Sequence, residues 1–327
     1  MNIVVLDGYT VNPGDNPWDL IATMGKLTIY DRTPVELLME RAREATVLLT
    51  NKTPLTTTTI RQLPHLRFIS VLATGFNVVD IRAAGEQGVP VANVPEYSST
   101  AVAQHAFALI LELTNAVGLH DTAVKRGEWS TSPDFSFWKT PLVELAGKNI
   151  GIVGFGKIGR AVARIAAAFG MTVSAYAPRH GELPPDIPVR WAGMDELFAT
   201  ADVISLHCPQ TEENTGFIDL RLLALMKPDA FLINTARGAL VNEADLAEAL
   251  NNGTIGGAAL DVVTREPIDP ANPLLTARNC LITPHLAWAA RSARRRLLEQ
   301  TAANIAAFAA GRPVNIVNSE FLPQPDR

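Results

Sequence analysis

Short apolar runs that end in turn residues alternate along this chain with longer segments of helical spacing, the pattern of a mostly parallel sheet covered by helices. The runs predict strands at Ile3–Leu6, Thr46–Leu49, Phe68–Leu72, Asn149–Val153, Thr172–Tyr176, Val203–Leu206, Ala230–Asn234, Gly257–Asp261 and Cys280–Thr283. One helix is especially well marked. Asn242 can cap Glu243–Leu250, acids fill its first turn, and Asn251-Asn252-Gly253 closes it. The nine strands exceed one tidy sheet and fall into two groups, three before residue 75 and six from Asn149 onward. Between the groups the spacing predicts one long apolar helix from Thr100 to about Lys125, with Ser98, Ser99 and Thr100 as caps. A second long helix is expected over Ala289–Ala310, stopping at Gly311. These two helices are expected to carry the chain between domains. The expectation is therefore α/β, with one domain built from both termini (1–99 and 289–327) and a dinucleotide-binding domain (100–288) inserted between them.

Composition narrows the class. At 327 residues the chain is about twice a usual domain of roughly 150. With 47% apolar and 19% charged residues it can bury a large core, which excludes disorder. Twenty-eight basic against 33 acidic side chains leave a net charge of −5, no footprint for nucleic acid. Two cysteines, Cys208 and Cys280, cannot staple a scaffold of this size, so a reduced, cytoplasmic setting is expected. The N-terminal Met1-Asn2-Ile3-Val4-Val5-Leu6-Asp7 does not read as a signal peptide. No uncharged apolar run nears 18 residues, so no membrane span is expected. No period of 20–50 residues repeats.

Residues 150–159 read Ile-Gly-Ile-Val-Gly-Phe-Gly-Lys-Ile-Gly. Gly154, Gly156 and Gly159 make G-x-G-x-x-G, with Phe155, Lys157 and Ile158 between them, directly after a predicted strand and before a segment of helix spacing, Arg160–Gly170. The first glycine permits the tight turn, the second lets backbone approach a pyrophosphate, and the third lets helix meet strand. The helix N-terminus offers unpaired N–H groups and partial positive charge to phosphates. The next strand, Thr172–Tyr176, should end in an acid that bonds the adenosine ribose hydroxyls. Here Ala177, Pro178, Arg179 and His180 follow instead. A carboxylate would repel a 2′-phosphate, an alanine does not, and Arg179 can pair with it bidentately. The reading favours NADP(H) over NAD(H), against a solvent-facing arginine after a turn proline.

Three further segments place polar groups just past predicted strands, where ligands of open α/β sheets bind. Ala230–Asn234 runs into Thr235-Ala236-Arg237-Gly238, Gly257–Asp261 into Val262 through Glu266-Pro267, and Cys280–Thr283 into Pro284-His285. A guanidinium, a carboxylate and an imidazole thus emerge at one sheet edge beside a nucleotide loop.

These stretches, with Val71-Leu72-Ala73-Thr74-Gly75-Phe76-Asn77-Val78-Val79-Asp80, resemble the D-2-hydroxyacid dehydrogenase family over essentially the whole chain. Asp134-Phe135-Ser136-Phe137-Trp138 and His285-Leu286-Ala287-Trp288-Ala289 suggest its glycerate dehydrogenase/hydroxypyruvate (glyoxylate) reductase branch. The resemblance implies two Rossmann-like domains, one flavodoxin-like and one dinucleotide-binding, with a cleft between them. It implies hydride transfer between a nicotinamide C4 and C2 of a 2-keto or 2-hydroxy acid. In that frame His285 is the proton donor to the developing alkoxide, a task suited to imidazole. Glu266 pairs with it and favours its charged form, and Arg237 grips the substrate carboxylate and polarises its carbonyl. By resemblance, backbone N–H groups of Thr74 and Gly75 complete the carboxylate clamp, and Trp288 walls the pocket. Asp261 resembles the family's nicotinamide-side acid. Thr235 and Ala236 line the same pocket, and His207-Cys208-Pro209 with Asn214 lie under the cofactor. Ala177 is the departure from the NAD-using majority, which carries an acid there.

The remaining candidates read blandly. Nothing flanks Cys208 as an activating pair, so it is expected to be packing. His65, His105, His120 and His180 show no ligand spacing, and no His-x-x-x-His or Cys-x-x-Cys occurs, so no metal site is expected. Arg291, Arg294, Arg295 and Arg296 read as a solvated or salt-bridged helix face. Trp129, Phe135, Phe137 and Trp138, in a proline-bounded loop, mark contact surface. The resemblance implies a homodimer through 100–142, with Trp138 reaching toward the partner's pocket. The competing class is a nucleotide-sensing, corepressor-like binding protein of the same fold. Against it stand the complete Arg237, Glu266 and His285 set and the expected lack of long flanking tails. Glu266 counts against a formate dehydrogenase, which pairs its histidine with Gln. An end at Arg327 counts against phosphoglycerate dehydrogenases with extra C-terminal domains.

Overall fold

The structure, a computed structural model, describes residues 1–323. Residues 324–327, the end of the expected first domain, lie outside the described residues. The chain divides into two compact units, Met1–Ser98 with the segment from Trp288 onward, and Ser99–Ala287.

In the first unit β1 (Asn2–Val5), β2 (Lys26–Ile29), β3 (Val47–Thr50), β4 (Phe68–Val71) and β5 (Val91–Ala92) pair in parallel in the order β2-β1-β3-β4-β5. β3 and β4 are wholly buried, as strands covered on both faces must be. Phe308, on the helix Arg291–Ala309, stacks on Phe68 of β4 with ring centroids 4.5 Å apart, which seats that helix on the sheet.

The second unit holds β6 (Asn149–Val153), β7 (Thr172–Tyr176), β8 (Val189–Trp191), β9 (Val203–Leu206), β10 (Phe231–Asn234), β11 (Gly257–Leu260) and β12 (Cys280–Ile282). All pair in parallel, in the order β12-β11-β10-β9-β6-β7-β8. Alternate side chains feed two cores. Ile204 and Leu206 pack with Leu197, Phe198 and Leu246 on one face, and Ile150 and Ile152 pack with Ala106, Ile110 and Val162 on the other. From β6 the chain runs outward to β7 and β8, then returns to the other side of β6 as β9. The strand order therefore reverses between β6 and β9, where open sheets of this kind bind ligands at their carboxyl ends.

The three strands that the apolar pattern missed, β2, β5 and β8, are all sheet edges. β2 is half-exposed with a lysine in it, β5 is buried but only two residues long, and β8 reads Val-Arg-Trp, so none presents a buried run of strand length. The helix Glu243–Asn251 is capped by Asn242, whose side chain accepts from the Asp245 N–H. The long helix expected from Thr100 to Lys125 is instead two, Ser99–Asn115 and Val117–Lys125, bent by 55°. Ala116 sits at the break with φ +47°, and the Glu112 carboxylate turns to accept the Gly118 N–H beyond it. Thr114 Oγ1 bonds back to Ile110 O, which further loosens that last turn. Among the described residues no single helix is long and apolar enough to cross a membrane.

The arginine run also differs from expectation. Arg294 is buried and pairs bidentately with Asp15, both N···O distances being 2.6 Å. Its guanidinium holds the Asp15 carboxyl below the usual range. Arg296 donates to Tyr97 O, so only part of this helix face is solvated.

Candidate active site

β6 ends in the glycine turn. Gly154 has φ +96°, and a Cβ there would lie 2.4 Å from Cys208 N and 2.6 Å from His207 C. Only glycine lets the two strand ends meet at the point where the order reverses. Gly156 faces open space, and the helix Lys157–Ala168 begins at the next residue without a side-chain cap. Phosphate oxygens can approach that backbone and those amides directly. Ile158 is half-buried against the helix-side core, while Phe155 is buried.

Two buried polar atoms sit one residue past paired strand ends. β9 and β10 register Leu206 with Asn234, so His207 and Thr235 follow side by side. Part of His207 stays accessible, but its Nδ1 is sealed from solvent and finds no protein partner, as does Thr235 Oγ1. Unmet polar atoms of this kind cost free energy unless a ligand or water completes them. A dinucleotide, rich in hydroxyl, amide and phosphate groups, fits this edge. His207 Nε2 lies 2.8 Å from Ser205 Oγ, and burial pushes the imidazole down to about 3, so it is neutral at ordinary pH. Burial pushes the Cys208 thiol up to about 11, which leaves it no nucleophile. Asn214 folds the segment beyond Pro209, accepting from Thr211 N at 2.7 Å and donating to Pro209 O at 2.8 Å.

The chemistry-bearing loops leave the three neighbouring strands β10, β11 and β12. Asn234 shapes the first loop, accepting from Ala236 N and donating to Arg237 O at 2.8 Å. Arg237 is exposed, its guanidinium donating to Ala236 O at 2.7 Å. A Cβ on Gly238 would lie 1.9 Å from Val263 C, so only glycine lets this loop seat on the backbone leading to Glu266. His285 Nδ1 is 2.6 Å from Glu266 Oε2, a charge-assisted distance. Glu266 and His285 are therefore brought together, and Arg237 stands on the loop packed against the one that carries Glu266.

His285 itself has φ +52°, a costly conformation for a non-glycine residue. Its surroundings enforce it. His285 N donates to Asp261 O, Leu286 N to Asp261 Oδ1 at 2.9 Å, and Ala287 N to Asp261 Oδ2 at 2.8 Å. Thr283 Oγ1 adds a donor to Asp261 at 2.6 Å, and His105 Nε2 lies 3.1 Å from Thr283 Oγ1 and 3.4 Å from Asp261. Burial raises the Asp261 carboxyl, but these bonds outweigh it and hold the group below its usual range. Asp261, expected at the nicotinamide, also anchors the loop that carries His285. His105, which shows no ligand spacing in the sequence, is the far support of the same network. Its signal was its place on an apolar helix facing the sheet.

The adenosine-side loop follows β7. Ala177 is half-buried, and Pro178, Arg179 and His180 are exposed. In the first unit Thr74 Oγ1 donates to Val94 O, and Thr74 O accepts from Asn93 Nδ2. Those bonds fix the Thr74-Gly75 turn, whose two N–H groups have no backbone partner among the described residues. Trp288 packs edge-on against Tyr97 of that unit. No cluster of three metal-ligating side chains occurs among the described residues.

Comparison with known proteins agrees with this geometry. Residues 107–287 match the family model "D-isomer specific 2-hydroxyacid dehydrogenase, NAD binding domain". The chain is 45% identical to a hydroxypyruvate reductase of Blautia hydrogenotrophica, over 97% of this chain and 100% of that protein. It is 40% identical to a glycerate dehydrogenase of Methylorubrum extorquens, over 88% and 90%. Among solved structures it resembles an acyclic imino acid reductase in complex with NADPH and D-Arg, at 29% identity and TM-score 0.81, covering 97% and 100%.

Proposed function

The chain belongs to the D-isomer specific 2-hydroxyacid dehydrogenase family, and on that premise we propose that this oxidoreductase reduces hydroxypyruvate or glyoxylate, to D-glycerate or glycolate, with NADPH favoured over NADH. The observation that carries the reading is the His285–Glu266 pair, on the same sheet edge as the glycine turn.

The nicotinamide supplies a hydride to the substrate C2 when bound. As C2 gains it, the carbonyl oxygen takes the electron pair of the C=O π bond and becomes an alkoxide, which needs a proton. With His285 Nδ1 engaged by Glu266, the proton delivered is the one on Nε2. The adjacent carboxylate fixes the orientation of the ring that makes the delivery. Arg237 grips the substrate carboxylate and draws electrons toward the carbonyl oxygen, an effect strongest where charge develops. The first unit is read as the substrate-binding domain, with the N–H groups of Thr74 and Gly75 and the Trp288 ring as its substrate contacts. Arg179 takes the 2′-phosphate at the end of β7, where no carboxylate repels it.

The protein is read as a cytoplasmic homodimer. Its two cysteines are both unpaired thiols, and Phe135 and Trp138, 91% and 69% exposed, offer apolar contact on the 127–142 loop. The test of the function is the absorbance of reduced cofactor at 340 nm, with hydroxypyruvate, glyoxylate, pyruvate and other 2-keto acids, each with NADPH and NADH. Turnover is expected to be fastest with hydroxypyruvate or glyoxylate and NADPH. Oxidation with none of them would favour a nucleotide-sensing protein of the same fold.

A further inference from the structure

One cluster beside the glycine turn is not used by the chemistry above. His180 lies flat on Trp191, ring centroids 4.5 Å apart and planes 4° from parallel. Trp191, at the carboxyl end of β8 and paired with Ala175 of β7, meets Phe155 of the glycine turn edge-on at 5.6 Å. The Arg160 guanidinium sits 5.1 Å from the centre of the Phe155 ring and donates to Glu182 O at 2.6 Å. The segment after β7 is thereby pinned twice, by a stack at His180 and a hydrogen bond at Glu182. Arg179 directly precedes the first pin.

Arg160 and Arg179 bring positive charge to this edge, with His180 beside them, where Ala177 stands in place of an acid. Nearby carboxylates are engaged elsewhere, Asp186 with Arg164 and Glu196 with Arg190, leaving Glu182 as the exposed acid of the segment. The stack takes rotamer freedom from the exposed imidazole and holds its ring in one place beside Arg179.

We propose that His180, held in place by Trp191, is a second contact to the 2′-phosphate of the cofactor and sets its preference together with Arg179. The inference rests on the NADP(H) reading above. A ring N–H donates to a phosphate oxygen in either the neutral or the charged state of the imidazole, and Trp191 is the positioning residue that aims it. Both rings belong to one unit with the glycine turn, so the contact needs no movement of the other unit.

The test compares binding of 2′,5′-ADP and 5′-AMP to the full chain by titration calorimetry, which isolates the phosphate from turnover. The unaltered protein is expected to bind 2′,5′-ADP at least about tenfold more tightly. His180→Ala is expected to weaken 2′,5′-ADP about fivefold and 5′-AMP less than about twofold. Trp191→Ala should give the same selective loss, and Trp191→Phe, which keeps a flat ring, should restore most of it. A 2′,5′-ADP preference that survives His180→Ala but falls in Arg179→Ala overturns the role of His180 and leaves the NADP(H) reading standing. Equal binding of the two nucleotides by the unaltered protein overturns that reading first.

Discussion

Two loops of the second unit leave the same sheet edge and are held by opposite means. The loop after β12 is fixed by polar bonds converging on one buried carboxylate: Asp261 takes Thr283 Oγ1, Leu286 N and Ala287 N, with His105 behind. The loop after β7 is fixed by ring stacking and one exposed hydrogen bond. A proton donor must be held within about 0.5 Å of its productive position, and His285 is held there with a strained φ. Recognition of a phosphate, a large and charged group, tolerates more play. Stiffness is concentrated where atoms are transferred and relaxed where a partner is merely selected.

The sharpest way to break the contrast is at the proton donor. His285→Gln keeps the ring's bulk in part and can still accept a bond, but it cannot deliver a proton. A fall in kcat of about 10²–10⁴-fold is expected, with the KM for cofactor little changed. Retained turnover in stopped-flow measurements would move the proton-donor role to another residue and remove the reason for a rigid β12 loop.

Next in size is the carboxylate beneath it. In Asp261→Asn, one side-chain oxygen becomes an NH2 facing the N–H groups it used to accept. A buried donor left unmet costs about 1–3 kcal/mol, so the melting temperature of this unit is expected to drop by roughly 3–10 °C at pH 7. The sign with pH follows from the depressed carboxyl. Its stabilisation is fully present above the unfolded value of 3.8 and is lost as pH falls through the lower folded value. The gap between the two proteins should therefore narrow as scanning calorimetry is moved from pH 7 toward pH 3. A gap that widens in acid would show that Asp261 is not the charged anchor described here.

Sequence pattern and fold agree best where strands are buried on both faces. β6, β7 and β9 begin and end where the sequence reading places them, and the wholly buried β3, β4 and β11 differ from it by one residue at one or both ends. It failed at the edge strands β2 and β8, which are partly exposed, at β5, which is buried but only two residues long, and at Ala116, where a left-handed residue breaks a helix. The candidate site divides in the same way. Glu266 and His285 were legible as polar residues after apolar strands, and their 2.6 Å pair follows from parallel neighbours in register. The second role of Asp261 and the part played by His105 were not. Both depend on backbone N–H groups and on a helix 150 residues away in the chain, and neither leaves a spacing in sequence.

The smallest effect tests the looser loop. Arg160 covers the Phe155 ring and bonds Glu182 O, so Arg160→Ala removes one of the two anchors of the segment that carries Arg179 and His180. A partly exposed bond of this kind is worth about 0.5–1.5 kcal/mol, which corresponds to a rise in the KM for NADPH of roughly 2- to 10-fold. Because the loop selects the cofactor and does not move the proton, kcat at saturating cofactor should change less than about twofold. Arg160→Lys retains the positive charge but not the planar guanidinium over the ring, so it should recover only part of the loss. Equal falls in kcat and kcat/KM in Arg160→Ala would mean that the two loops share one rigid frame, and the contrast between a stiff chemical loop and a compliant selecting loop would fail.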